Sequence, residues 1–123
     1  MNTVFEIKRA ADGRFVFNLK AANDQVILTS QAYETKASAE SGIASVKHNA
    51  EIDAHYEEKT GNDGLPYFLL HAGNRLVIGR SQMYSSLEAM RKGIASVKHN
   101  APIAETVDLS SAVQSVGGRS ARG

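Results

Sequence analysis

Cysteine is missing from all 123 residues, so neither a disulfide nor a thiolate metal site contributes to this protein. That suits a reducing cytoplasm. No apolar run approaches the roughly 20 residues that span a bilayer, which excludes a transmembrane helix. The N-terminal MNTVFEIKRA enters an alternating pattern directly, without a basic segment followed by an apolar one, so a cytoplasmic, unprocessed protein is expected. A basic excess is missing too. The formal charge of +1 includes Arg119 and Arg122 of the acid-free stretch SSAVQSVGGRSARG, and subtracting these two leaves residues 1–109 at −1. Nucleic-acid binders usually show a clustered basic excess, so a nucleic-acid partner is disfavoured.

Catalytic signatures are equally scarce. No HExxH, GxSxG, Walker loop or Gly-rich dinucleotide fingerprint occurs. The four histidines, His48, His55, His71 and His99, lack the i,i+4 spacing of a helical metal pair, so no metal and no cofactor are expected.

What the chain does contain is a repeat. GIASVKHNA occupies residues 42–50 and again 93–101, and a shift of 51 without gaps gives 23 identities in the 50 pairs between 4–53 and 55–104. A duplicated unit, about 4–54 and 55–105, therefore builds a single domain over 1–109. The Ser/Gly-rich stretch 110–123 has little to bury and is expected to be disordered.

Each unit starts with period-two alternation. FEIK, a turn at Asp12-Gly13, FVFNLK, a turn at Asn23-Asp24 and QVILTS predict a three-stranded meander; YEEK, Asp63-Gly64, PYFLLH, Gly73-Asn74 and LVIG are its second copy. The period then lengthens to that of a helix. Leu87, Met90, Ile94 and Val97 share one helical face, with Lys36, Ala39, Ile43 and Val46 as their counterparts, and Thr35 and Ser86 are candidate N-caps. Gly42 and Gly93 fall mid-helix, where glycine costs about 1 kcal/mol relative to alanine, and this predicts a close approach of helix to sheet. Asn49 and Asn100 are predicted to end the helices in a left-handed conformation, with Ile52 and Ile103 folding back as apolar anchors. HYEEK after the first helix aligns with VFEIK, and ETVDL lies one period further on. A strand that follows each helix and is exchanged between halves would fuse two half-sheets.

The tandem pattern FEIKR…DGRFVFNLKAANDQVI…SQAY followed by GIASVKHNA, over roughly 3–109, resembles the YegP-like family of uncharacterised small bacterial proteins. The resemblance implies an α+β fold: two tandem β3-α-β repeats forming one antiparallel sheet with exchanged C-terminal strands and two helices packed on it. It also implies that the chain carries its own pseudo-twofold partner, so a monomer is expected. It supplies no catalytic residue, substrate or cofactor.

Two surfaces are candidates for function. Lys47, His48 and Asn49, with Lys98, His99 and Asn100, combine a base, a cation and an amide at each helix end, the components of a weak nucleic-acid or small-anion site. Helix-end stabilisation explains the same residues with fewer demands. The replacement of Val16, Asn18 and Lys20 by Tyr67, Leu69 and His71 makes one strand face of the second unit more apolar, as either a protein-docking surface or drift after the duplication would make it. Ile7 becomes Glu58, so the middle strand is expected to be partly exposed. Tyr33 and Tyr84 are expected to pack at strand–helix junctions, and Gln31 and Gln82 to bridge loop backbone. The expectation is a non-catalytic interaction module whose partner is another protein, with the paired helix ends as the alternative site.

Overall fold

The computed structural model describes residues 3–110. Strands β1 (Val4–Arg9), β2 (Phe15–Lys20) and β3 (Val26–Thr29) form the first meander, and helix α1 (Lys36–Asn49) follows. Strands β4 (Tyr56–Thr60), β5 (Pro66–His71) and β6 (Val77–Arg80), helix α2 (Leu87–Asn100) and strand β7 (Glu105–Asp108) complete the chain. The predicted turns carry the expected backbone: Gly13 and Gly64 have φ of 89° and 82°. In the other hairpin of each unit the left-handed residue is Asp24 or Arg75.

All seven strands join in one sheet, ordered β4-β5-β6-β3-β2-β1-β7. The halves meet through the antiparallel pair β3 and β6, at Thr29 and Arg80. The expected strand exchange is present, since β7 of the second unit lies on β1 of the first. One detail is corrected: the sheet is mixed, because β7 runs parallel to β1 while the other neighbours are antiparallel. The connection that contains α2 carries the chain from β6 past β3, β2 and β1 to the far edge of the sheet, where β7 pairs with β1.

Alternation along the strands divides the sheet into a core face and a helix-free face. Phe5, Ile7, Phe17, Leu19, Phe68 and Leu70 are fully buried on the first, beneath Ala39, Ile43 and Val46 of α1 and Met90 and Val97 of α2. Thr35 and Ser86 cap the helices as expected, their hydroxyls accepting the N–H of Ser38 and Ala89 at 3.0 Å.

The mid-helix glycines approach the sheet through a tyrosine. Tyr33 stacks on Phe17 at 6.1 Å between centroids, and Tyr84 on Phe68 at 6.3 Å. A Cβ on Gly42 would lie 2.9 Å from the Phe17 ring and 2.5 Å from Tyr33 Oη. One on Gly93 would press into Tyr84 Oη, a buried hydroxyl that has no hydrogen-bond partner among the described residues. Burial raises the pKa of this hydroxyl, and the nearby Gln82 side chain acts in the opposite direction. The serine before each glutamine does the bridging assigned to Gln31 and Gln82. Ser30 Oγ accepts the Phe17 N–H at 2.9 Å and donates to the Gln31 carbonyl at 2.7 Å, and Ser81 repeats this with Phe68 and Gln82. Its short side chain stays buried under the turn, and the glutamines project to solvent.

Three further expectations are corrected. Asn49 and Asn100 are not left-handed: Ala50 and Ala101 close the helices in right-handed geometry, and each asparagine amide donates back to the carbonyl four residues earlier, Ser45 or Ser96. That bond occupies a carbonyl which a left-handed cap would otherwise satisfy. Ile103 is 75% exposed and anchors nothing, because the short 3-10 turn Ala101–Ile103 buries Ala101 and Ala104 in its place. Leu87 is 51% exposed, so the core stripe of α2 begins one turn later at Met90.

The same neighbourhood explains Glu58. Ile7 is fully buried where β7 and its continuation cover β1: Leu109 N–H donates to the Ile7 carbonyl at 2.8 Å, and Ser110 is 1% exposed. Among the described residues no strand covers the outer edge of β4, so the counterpart Glu58 is exposed and takes a bidentate contact from Arg91 of α2 at 3.0 and 3.1 Å. Charge on an edge strand discourages pairing with other chains. The packed body thus reaches Ser110, the first residue of the stretch expected to be disordered; 111–123 lie outside the described residues.

Two outcomes follow. Gly93→Ala gains about 1 kcal/mol of helix propensity but overpacks Tyr84, typically at about 1–3 kcal/mol. Urea denaturation should show net destabilisation, while Gly73→Ala, where a Cβ meets nothing within 4 Å, is tolerated. Asp108 carries the second: hydrogen bonds from Lys36 Nζ, at 2.7 Å, and from Ser110 hold its carboxyl at about 2. Its folded value lies below the ordinary one of about 3.9, so its contribution is present above about pH 4 and lost as the pH falls through about 2. Lys36→Ala should move the Asp108 NMR titration upward and flatten acid unfolding over that interval.

Candidate functional site

The paired helix ends do not form two matching sites. Asn49 is buried and held by Ser45 and by His55, whose Nδ1 lies 2.7 Å from Asn49 Oδ1. Asn100 is held by Ser96. Lys47 lies over the Phe5 ring at 5.8 Å, whereas Lys98 forms an ion pair with Asp53 beyond the end of α1. His48 and His99 are exposed. In each triplet the asparagine turns inward, the lysine lies on a neighbouring group and the histidine faces solvent, so the three do not converge on one point.

Tyr67 and Leu69 do come together with other residues. Both lie on the helix-free face of β5, opposite Lys59 and Glu57 of β4, and Leu69 also pairs with Arg80 of β6. The Arg80 guanidinium lies 4.8 Å from the Tyr67 ring centroid. Tyr67, Arg80 and Met83 line a shallow recess of about 350 Å³ with the turn Thr60–Asp63. On the other side of Arg80, a recess of about 250 Å³ is lined by Thr29, Gln31, Val77 and Gly79. Arg80 and Met83 escaped the sequence reading, although the same 51-residue shift shows them as replacements of Thr29 and Ala32. What the shift could not show is that the β5–β6 register sets them beside Tyr67 and Leu69.

The first repeat closes the same face with polar pairs. Thr29 Oγ1 donates to Asn18 Oδ1 at 3.0 Å, and Glu6 takes Lys20 at 3.5 Å and Lys8 at 3.8 Å. Lys20 also reaches Asp24 of the adjoining turn at 3.8 Å. In the second repeat His71 occupies the place of Lys20. Its Nε2 lies 2.7 Å from Glu57 Oε1 and its Nδ1 lies 3.0 Å from the Arg75 carbonyl. Both ring nitrogens of His71 are thus engaged within the fold. Among the described residues no group of three or more His, Cys, Asp or Glu side chains is arranged to hold a metal, and no helix is long and apolar enough to cross a membrane.

These features define a class: a tandem-repeat α+β protein whose single sheet is covered by helices on one face and, among the described residues, bare on the other. The chain belongs to the family described as Domain of unknown function (DUF1508), whose model matches twice, over residues 10–57 and 62–108. It is 51% identical over 106 residues to a UPF0339 protein of Bordetella pertussis, covering 86% of this chain and 96% of that one. It is 50% identical over 96 residues to the UPF0339 protein YegP of Escherichia coli O157:H7, covering 78% and 87%. Two solution NMR structures are similar. The UPF0339 protein SO3888 from Shewanella oneidensis superimposes with a TM-score of 0.86 at 39% identity over 96% of this chain and all of that one. The protein of unknown function yegP from E. coli does so with 0.84 at 42% identity over 97% of each.

The His71 contact has a measurable consequence. The hydrogen bond from His71 lowers the Glu57 carboxyl below the usual carboxylate range, with Lys59 as a lesser contributor. His71→Ala should return the Glu57 titration, followed by carboxyl NMR, upward toward that range; an unchanged midpoint would mean that the contact is not held in solution.

Proposed function

We propose that this protein is a non-catalytic interaction module that docks another protein on the helix-free face of its second repeat. One observation carries the reading. The exposed large hydrophobic side chains of the described residues are Leu65, Leu76, Val77, Met83, Leu87, Ile103 and Val107; the first six belong to the second unit and Val107 to the strand that follows it. One period earlier, the first five correspond to Arg14, Gln25, Val26, Ala32 and Lys36. Of the exposed residues, Val77 and Met83 line the two recesses that flank Arg80 beside Tyr67 and Leu69, and apolar exposure at such a place is the usual mark of a protein contact.

The alternative, nucleic acid or a small anion at the paired helix ends, draws less support. Lys98 and both asparagines are engaged within the fold, and Arg80 covers the Tyr67 ring that would stack on a base. A cytoplasmic setting is part of the proposal and rests on the cysteine-free composition.

The repeat supplies its own control. Tyr67→Val with Leu69→Asn installs the residues that the first unit carries at these positions, and surface changes of this kind usually stay within about 0.5 kcal/mol in stability. The double variant should lose capture of partner from cell extract at an unchanged unfolding midpoint. Capture retained at full strength would remove this face from consideration.

A further inference from the structure

We infer that Arg80 is the anchor of the docking face and that it receives a carboxylate from an extended acidic-apolar segment of the partner protein. This rests on the interaction reading above and adds the chemistry of the occupant. On the helix-free face of the described residues, the lysines of the strands each have an acid, Lys8 and Lys20 with Glu6 and Lys59 with Glu57, and His71 also contacts Glu57. Arg80 has none there, and its contact is the Tyr67 ring. It also occupies the middle of the sheet, paired with Thr29 on one side and Leu69 on the other.

A guanidinium lying against an aromatic ring keeps its planar fork of N–H donors for a ligand, and the fork matches a carboxylate in bidentate geometry. The surroundings favour a single acid flanked by apolar side chains. Met83 lines the recess on one side of Arg80 and Val77 the recess on the other, and Leu69 is its cross-strand neighbour. An extended segment that sets a carboxylate on Arg80 can place apolar groups in both recesses. Asp63, which accepts the Leu65 N–H at 3.0 Å, lines the same recess as Tyr67 and Arg80; it repels further anions there, so an occupant with one carboxylate on Arg80 is favoured over a polyanion such as nucleic acid. The first repeat again provides the contrast, since Thr29 stands in place of Arg80 and its hydroxyl is spent on Asn18.

The test uses the full chain, labelled for NMR, and three probes: a blocked acidic peptide Leu-Ser-Glu-Ser-Leu, in which the one carboxylate and both leucines share a face of the extended chain, its Gln-for-Glu counterpart (the Leu-Gln peptide), and a short oligodeoxythymidylate. The acidic peptide should shift the Arg80 side-chain N–H and the Tyr67 ring signals. Binding should weaken about tenfold or more with the Leu-Gln peptide, and again in Arg80→Thr, as expected for loss of a charge-assisted hydrogen bond. Arg80→Lys should restore it in part, because the charge returns without the fork. Equal binding of both peptides, no shift from the acidic peptide at millimolar concentration, or shifts at Arg80 from the oligonucleotide alone would each overturn the inference. The two proposals fail separately. If Tyr67→Val/Leu69→Asn abolishes partner capture and Arg80→Thr leaves it intact, the docking face stands and the carboxylate anchor falls; if capture survives both, both fall.

Discussion

The tyrosine wedged between sheet and helix is the contact on which the rest of each unit depends. Tyr33 and Tyr84 each lie flat on the central phenylalanine of the unit and fill the space that a helix side chain would otherwise need. The helix must therefore present a glycine there and accept its propensity cost, and the residues either side, Ile43 and Val46 or Met90 and Val97, can then reach the strands. The preceding serine serves the same arrangement by satisfying the phenylalanine N–H at the edge of the turn. Two sequence motifs far apart in each unit, SQ-x-Y and GIASV, are two halves of one packing device. Their identity in both copies follows from that.

Where the two units differ, the cause is their different exposure in the fused sheet. β1 is sandwiched between β2 and β7, and its Ile7 is buried; among the described residues β4 has a neighbour on one side only, and Glu58 with Arg91 occupies the corresponding place. Lys36 pairs with Asp108 because β7 lies beneath the start of α1, whereas Leu87 at the start of α2 meets no such strand. A duplication that produced identical halves has been constrained by a topology that does not treat them alike. The helix-free face adds a second asymmetry of another kind. There Thr29 and Asn18 are replaced by Arg80 and Leu69, and the docking proposal rests on that change.

Much of the architecture is legible in the sequence. The gapless shift, the change of period after QVILTS, the Asp-Gly turns and the N-caps depend on residues within a few positions of each other, and these features stand as read. The helix ends are not legible in that way, for the opposite reason. An asparagine after Lys-His suits a left-handed cap by local rules, yet Asn49 is buried beside Ser45 and His55, and these partners decide its conformation. The proposed docking face is half legible: Tyr67 and Leu69 stand out against Val16 and Asn18, but Arg80, eleven residues beyond Leu69, joins them only through the strand register.

The sequence by itself determined the unit, its elements and the face that each strand residue takes, because period and turn chemistry act along the backbone. Only the tertiary structure decided that β7 crosses to run parallel to β1, that each glycine faces a tyrosine, and that a guanidinium lies against Tyr67 at the centre of the bare face. Those outcomes depend on which surfaces remain to be buried once two half-sheets have joined, and that is a property of the assembled layers.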